Sequence, residues 1–132
     1  MPTELLYKEE VYKIIGACLE VYNVMGSGFL EAVYQECLRR EFDLRGIPYV
    51  EHKRLQLDFK GIRLDTEYES DFECYGKIIL EIKAASKLND GFRAQTLNYL
   101  NATKHKVGLL VNFGHHKTFE WERFVLTEDV DF

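Results

Sequence analysis

An acid at position 71, a second at 81 and a lysine at 83 form the arrangement Asp71-x9-Glu81-x-Lys83. Glu81-Ile82-Lys83 lies in an apolar run that reads as a strand, so Glu81 and Lys83, two residues apart, point to one side. Two carboxylates held a few ångströms apart repel, and one pKa rises unless a cation stands between them. Oxygen-only ligands suit Mg²⁺ or Mn²⁺ better than zinc. Such an ion polarises a phosphodiester and stabilises the leaving oxygen, and a lysine beside it can orient or deprotonate a water. The rival reading of the same residues is a salt bridge at a strand end. Whether the two acids meet depends on the hairpin between them. A two-residue loop, Tyr75-Gly76, sets residue 71 opposite 80 and turns Glu81 to the other face. A three-residue loop, Tyr75-Gly76-Lys77, pairs 71 with 81, and Gly76 makes that bulged turn accessible.

Further polar residues surround this set. Glu31 is collinear with Tyr34, Leu38 and Phe42 on a helical repeat, so it faces or borders the core, where an acid wants a partner. With Gly28 as N-cap, Glu31 would instead sit at the third helical position and answer the helix dipole. Gln95 and Tyr99 lie one helical turn apart with Arg93 nearby, able to project toward a sheet or to form a polar helix edge with Tyr99 in the core. His115-His116 reads as a solvated loop pair. Trp121 could stack a base but suits a core better. Lys104, His105 and Lys106 form a phosphate-facing rim or a helix C-terminus that meets its dipole.

The elements that must position these residues follow from periodicity. Thr3 can cap a first helix in which Tyr7, Val11, Ile14, Ile15, Cys18 and Tyr22 recur at helical spacing as far as Val24. Gly26-Ser27-Gly28 breaks it, and a second amphipathic helix runs from Leu30 to Arg45-Gly46. Leu55, Leu57 and Phe59 then alternate with polar residues up to a Lys60-Gly61 turn. Alternation is strict over 62–74, with Ile62, Leu64, Thr66, Tyr68, Ser70, Phe72 and Cys74 on one side and five acids with Arg63 on the other. A third strand over 77–84, a helix over 92–104, a doubly buried strand over 107–113 and an edge strand over 119–126 complete the chain. The expected class is α/β, in the order α-α-β-β-β-α-β-β: a three-strand meander, a helix and a buried strand in a mixed central sheet flanked by helices.

Composition narrows the function. A chain of 132 residues makes one domain, read over 1–132 with an acidic tail at about 127–132. There is no apolar stretch of membrane-spanning length, and no basic, apolar leader opens the chain, which points to a cytoplasmic protein with no membrane partner. Three widely spaced cysteines, Cys18, Cys37 and Cys74, suit reduced thiols rather than a disulfide frame. The 17 bases and 22 acids give a net charge of −5, which weighs against a polyanion partner. The distribution is uneven, however: residues 84–117 hold Lys87, Arg93, Lys104, Lys106 and Lys117 against Asp90 alone.

Gly28-Phe29-Leu30-Glu31-Ala32-Val33-Tyr34 resembles the motif that names the GxxExxY family, and Asp71, Glu81-Ile82-Lys83, Gln95-Thr96-Leu97-Asn98-Tyr99 and Val107-Gly108-Leu109-Leu110-Val111-Asn112-Phe113-Gly114 follow in that family's order. That family is in turn similar to the PD-(D/E)XK nuclease superfamily, nearest its RecB and Cas4-like branch. The resemblance implies a restriction-endonuclease-like core and Mg²⁺- or Mn²⁺-dependent hydrolysis of nucleic acid, DNA above all, in repair or defence. By position it implies Glu31, Asp71 and Glu81 as metal ligands, and Asp71, Glu81, Lys83 and Gln95 as the catalytic set. Tyr34, Arg93, Gln95 and Tyr99 would then contact the substrate. Ser70 stands where the superfamily's name has proline, and three cysteines are too few for the iron–sulfur cluster of the Cas4-like branch. A homodimer would enlarge the contact of so small a domain with a duplex. The alternative is a catalytically idle nuclease-like module that binds nucleic acid or a protein partner.

Overall fold

A computed structural model describes residues 5–126. Two helices come first, α1 (Lys8–Met25) and α2 (Glu31–Arg45). Five strands follow: β1 (Tyr49–Glu51), β2 (Arg54–Phe59), β3 (Ile62–Glu69), β4 (Phe72–Cys74) and β5 (Ile78–Lys83). Then come α3 (Asp90–Thr103), β6 (Val107–Asn112) and β7 (Glu120–Val125). Thr3 and the acidic tail at 127–132 lie outside the described residues. α1 starts from Tyr7, which takes a left-handed conformation and makes no side-chain cap.

Five strands form one sheet in the order β1-β4-β5-β6-β7, in which only β5 and β6 run parallel. β5 and β6 are apolar on both faces because both faces are covered. On one face, α1 contributes Val11, Ile14, Ile15, Cys18 and Val21 and α2 contributes Tyr34, Leu38 and Phe42. They pack on Phe72, Cys74, Ile78, Leu80, Ile82, Val107, Leu109 and Val111. α3 lies on the other face, where Leu100 reaches so close to Gly108 that an added Cβ would stand 3.0 Å from its Cδ2. The mixed, helix-flanked α/β architecture expected from periodicity is therefore the one observed.

The strand pairing corrects one expectation. β2 and β3 pair only with each other, as a separate two-stranded sheet, so no three-strand meander forms. The strand expected over 62–74 is cut at Ser70-Asp71, and β1 appears ahead of β2. One ribbon nevertheless runs through both pieces: Tyr49 pairs with Cys74 and Arg54 with Glu69, in a single register. His52 N–H donates to Asp71 O (3.2 Å) and Ser70 N–H to Lys53 O (3.1 Å) across the break. The ribbon bends at His52, whose φ is +52°. Beyond the bend, Tyr68 of β3 stacks on Tyr99 of α3, whereas Phe72 of β4 joins the core under α1 and α2. The uniform alternation read over 62–74 thus splits between two faces. Periodicity carries no signal for a non-glycine residue at positive φ, which is why the bend was invisible.

Candidate functional site

The turn between β4 and β5 is the three-residue one. Tyr75 (φ +57°) and Gly76 (φ +68°) take left-handed conformations, and Lys77 N–H donates to Cys74 O at 3.1 Å. Cys74 then pairs with Ile78 and Phe72 with Leu80, and one step further Asp71 faces Glu81. The backbone N–H of Asp71 donates to Glu81 Oε2 at 3.2 Å, and that of Ile82 donates to Asp71 Oδ2 at 2.8 Å. A second donor to Glu81 Oε2 is the Tyr68 hydroxyl, at 2.7 Å.

Burial and like charge act together here. Glu81 is only 7% exposed. Desolvation, followed by the charge of Asp71, pushes its carboxyl up to about 8, against the pull of Tyr68, the Asp71 N–H and Lys83. Burial also raises Asp71, with Glu31 adding to the rise and the Ile82 N–H, Lys83 and His52 opposing it. Burial and Glu81 raise the Tyr68 phenol far above its ordinary value, so it remains a donor. Each carboxylate commits one oxygen to the protein. Asp71 Oδ1 and Glu81 Oε1 make no hydrogen bond among the described residues. This pair of unspent oxygens, in a place where two negative charges repel, fits a hard divalent cation. Among the described residues no group of three or more His, Cys, Asp or Glu side chains is close enough to hold a metal ion, so the acids present a pair.

The other expected residues fall at different distances from this pair. Lys83, half-buried, lies with its Nζ 4.8 Å from the centroid of the Phe92 ring of α3 and lowers both carboxyls. Glu31 does not face the core. It is exposed as the first residue of α2, with Leu30 rather than Gly28 as N-cap; its charge reaches Asp71, but its side chain does not join the pair. Gln95 is exposed, one helical turn before Tyr99, which stacks on Tyr68 at 3.4 Å and 22°. Arg93 is engaged by carboxylates, with its Nε 2.7 Å from Glu122 and its Nη1 2.8 Å from Asp90, so it has little left for a phosphate.

Tyr34 is corrected outright. It is fully buried, donates to Gly26 O at 2.6 Å, accepts from Phe29 N–H at 3.2 Å and stacks on Phe113 at 4.6 Å. It locks the entry to α2, where no substrate can touch it. One turn beyond Glu31, Gln35 had drawn no attention, yet its amide donates to Asp71 O (3.1 Å) and to Glu51 (3.0 Å). Only its place one helical turn after Glu31 could have flagged it.

The strand end that carries Lys83 is held from β6. Asn112, buried, accepts from Ala85 N–H (2.9 Å) and Gly114 N–H (3.1 Å), and donates to Ala85 O (2.9 Å) and Glu120 (2.8 Å). Glu120 in turn accepts from Leu88 N–H at 3.0 Å, one residue before Asn89 caps α3. Gly114 permits this crossing, since a Cβ there would lie 2.2 Å from Ala85 O. His105 turns inward to Glu73 at 2.7 Å rather than forming a phosphate-facing rim. His115 and His116 stack on each other in their loop. Trp121 lines a groove of about 640 Å³ along the outer face of α1. That groove includes neither Asp71 nor Glu81.

Comparison with known proteins bears on the family of the chain. No described helix is long and apolar enough to cross a membrane. No curated protein and no solved structure matches the chain. A family model for the PD-(D/E)XK nuclease superfamily matches residues 8–124, a span that runs from the first residue of α1 nearly to the end of β7 and takes in both carboxylates and Lys83. The chain therefore belongs to the PD-(D/E)XK nuclease superfamily.

Proposed function

We propose that this protein is a Mg²⁺- or Mn²⁺-dependent nuclease that hydrolyses phosphodiester bonds in DNA, as a GxxExxY-type member near the RecB and Cas4-like branch. The observation that carries the reading is the approach of Asp71 to Glu81 beside Lys83, with one free oxygen on each carboxylate. A structural ion pair would not need a buried and a half-buried acid side by side, with one carboxyl raised to about 8. Asp71 and Glu81 would hold the ion, with Glu31 adding negative charge from the start of α2. The ion, when bound, supplies the polarisation of the phosphoryl oxygen and the stabilisation of the leaving oxygen. Lys83 orients the attacking water from beside both carboxylates. Gln95 and Tyr99, on the helix that covers this face, position the nucleic acid. Unpaired thiols at Cys18, Cys37 and Cys74 suit a reducing compartment such as the cytoplasm. A homodimer would extend the contact of one nuclease-like domain along a duplex.

The reading is tested with purified protein, Mn²⁺ or Mg²⁺, and labelled single-stranded, duplex and branched DNA. Cleavage that is lost with chelator and in Asp71→Ala, with the fold intact, is the expected outcome. The second reading, an idle nuclease-fold module, draws on the hydrogen bonds that Oδ2 of Asp71 and Oε2 of Glu81 already make inside the protein. Mn²⁺-loaded protein that leaves every substrate uncut, yet retards one of them in a gel, would establish it in place of the first.

A further inference from the structure

Tyr68 is the single buried residue of β3, the strand that leaves the main sheet at the ribbon's bend. Its hydroxyl makes one hydrogen bond, to Glu81 Oε2 at 2.7 Å. Its ring lies face to face with Tyr99 of α3, centroids 3.4 Å apart. Gln95 lies one turn earlier than Tyr99 on the same helix.

We propose that Tyr68 is the positioning residue that holds Glu81 ready as a metal ligand and ties it to the substrate-facing helix. The proposal rests on the reading of Asp71 and Glu81 as a metal-binding pair. Two donors, the Tyr68 hydroxyl and the Asp71 N–H, converge on Oε2. Together they fix the rotation of the carboxylate and leave Oε1 turned out for an ion. Without the phenol, only the longer bond from the Asp71 N–H restrains the side chain, and the ligand must be ordered at the moment of binding. The stack gives the phenol its own anchor. A tyrosine that only filled space would not need to aim its hydroxyl at a buried carboxylate, and one that only satisfied Glu81 would not need a parallel ring from α3 behind it. Pressure on Tyr99 from a bound strand therefore reaches Glu81 through one intermediate side chain.

The test is Mn²⁺ affinity, read by calorimetry and by the Mn²⁺-induced rise in melting temperature, in wild type and Tyr68→Phe. The variant keeps the ring and the stack and loses only the hydroxyl. The metal-free melting temperature should move by a few degrees at most. The dissociation constant for Mn²⁺ should rise about tenfold or more, the scale of a hydrogen bond to a charged group. In a Glu81→Gln background the same substitution should leave Mn²⁺ binding unchanged. Tyr99→Leu, which removes the stack and spares the hydroxyl, should weaken Mn²⁺ binding by a smaller factor, and it decides the matter if Tyr68→Phe does not fold. Wild-type affinity in folded Tyr68→Phe overturns the proposal, as does wild-type affinity in Tyr99→Leu when Tyr68→Phe is unfolded. If the wild-type protein itself binds no Mn²⁺, the metal-binding pair is refuted and this role of Tyr68 with it, a result distinguishable from the variant-specific failure.

Discussion

Glu81→Gln should make the metal-free protein more stable. In the folded state burial and Asp71 push the Glu81 carboxyl up to about 8, against an ordinary value of 4.5. Between those two values the folded protein holds a proton that the unfolded chain has released. The contribution of this group is therefore complete below pH 4.5 and is lost as the pH rises through 8. At about 1.4 kcal/mol per pH unit, roughly 3 kcal/mol is gone by pH 7 and about 5 kcal/mol above pH 9. A glutamine cannot ionise, and its amide oxygen can still accept from Tyr68 and from the Asp71 N–H. At pH 7 to 8 the variant should exceed the wild type by about 3–4 kcal/mol, a rise in melting temperature on the order of 10 °C for a chain of this size. At pH 5 the gap should fall below about 1 kcal/mol. Chelator-treated protein, melted or unfolded in urea across pH 5 to 9, reads this directly. Saturating Mn²⁺ should then restore the wild type and leave the variant unmoved, because only a ligand that binds the folded state shifts its equilibrium. A variant that is no more stable than wild type at pH 8, or a gap that does not narrow toward pH 5, would refute the account of Glu81 as an acid held at a cost to the fold.

Three further outcomes separate chemistry from scaffolding. Lys83→Ala should cut cleavage by at least about a hundredfold and leave the melting temperature within a few degrees, since the side chain is half-exposed over Phe92; a rate within a few-fold of wild type removes Lys83 from the catalytic set. Asn112→Ala should cost about 3 kcal/mol or more in urea unfolding, because Ala85 N–H, Ala85 O and Gly114 N–H all lose their partner; a loss under about 1 kcal/mol would show that water replaces the amide. Arg93→Ala should cost about 1 kcal/mol of stability with DNA affinity unchanged, as its guanidinium is taken by Glu122 and Asp90; a large loss of affinity would return it to the substrate-contacting residues.

Local pattern carried the core a long way. The spacing of Val11, Ile14, Ile15 and Cys18 and the apolar runs at 78–82 and 107–113 report side-chain direction over a few residues, and direction is what periodicity measures; the choice between a two- and a three-residue turn at Tyr75-Gly76-Lys77 is settled only by the strand register. Glu31 shows where that measure stops. It does share a helical line with Tyr34, Leu38 and Phe42, but α2 begins at Glu31 itself, so the line reaches solvent there. The two glycines at positive φ, Gly26 and Gly28, and the Tyr34 hydroxyl on Gly26 O set that boundary. None of this is visible in the apolar spacing. The roles of Gln35, Asn112 and His105 escape local pattern for a related reason: each acts through a contact with a segment more than 25 residues away.

The bend at His52 and Ser70-Asp71 is the part of the site least accessible from the sequence and the one on which its geometry depends most. A straight ribbon would carry Tyr68 along the edge of the sheet on the same side as Phe72, facing the core under α1 and α2. The bend instead turns β3 toward α3, so that Tyr68 meets Tyr99 and Glu81. It also frees Asp71 from strand pairing with β5, and its side chain can then take the Ile82 N–H. Interrupting β-structure at a polar pair leaves backbone groups to be satisfied. Here they are met by Lys53 O, His52 N–H, Gln35 and the two carboxylates themselves. The same residues that would hold an ion thus close the hydrogen bonds of the break. The carboxylate pair and the local departure from regular structure have one cause, and an alternating pattern, which describes the regular strand, predicts neither.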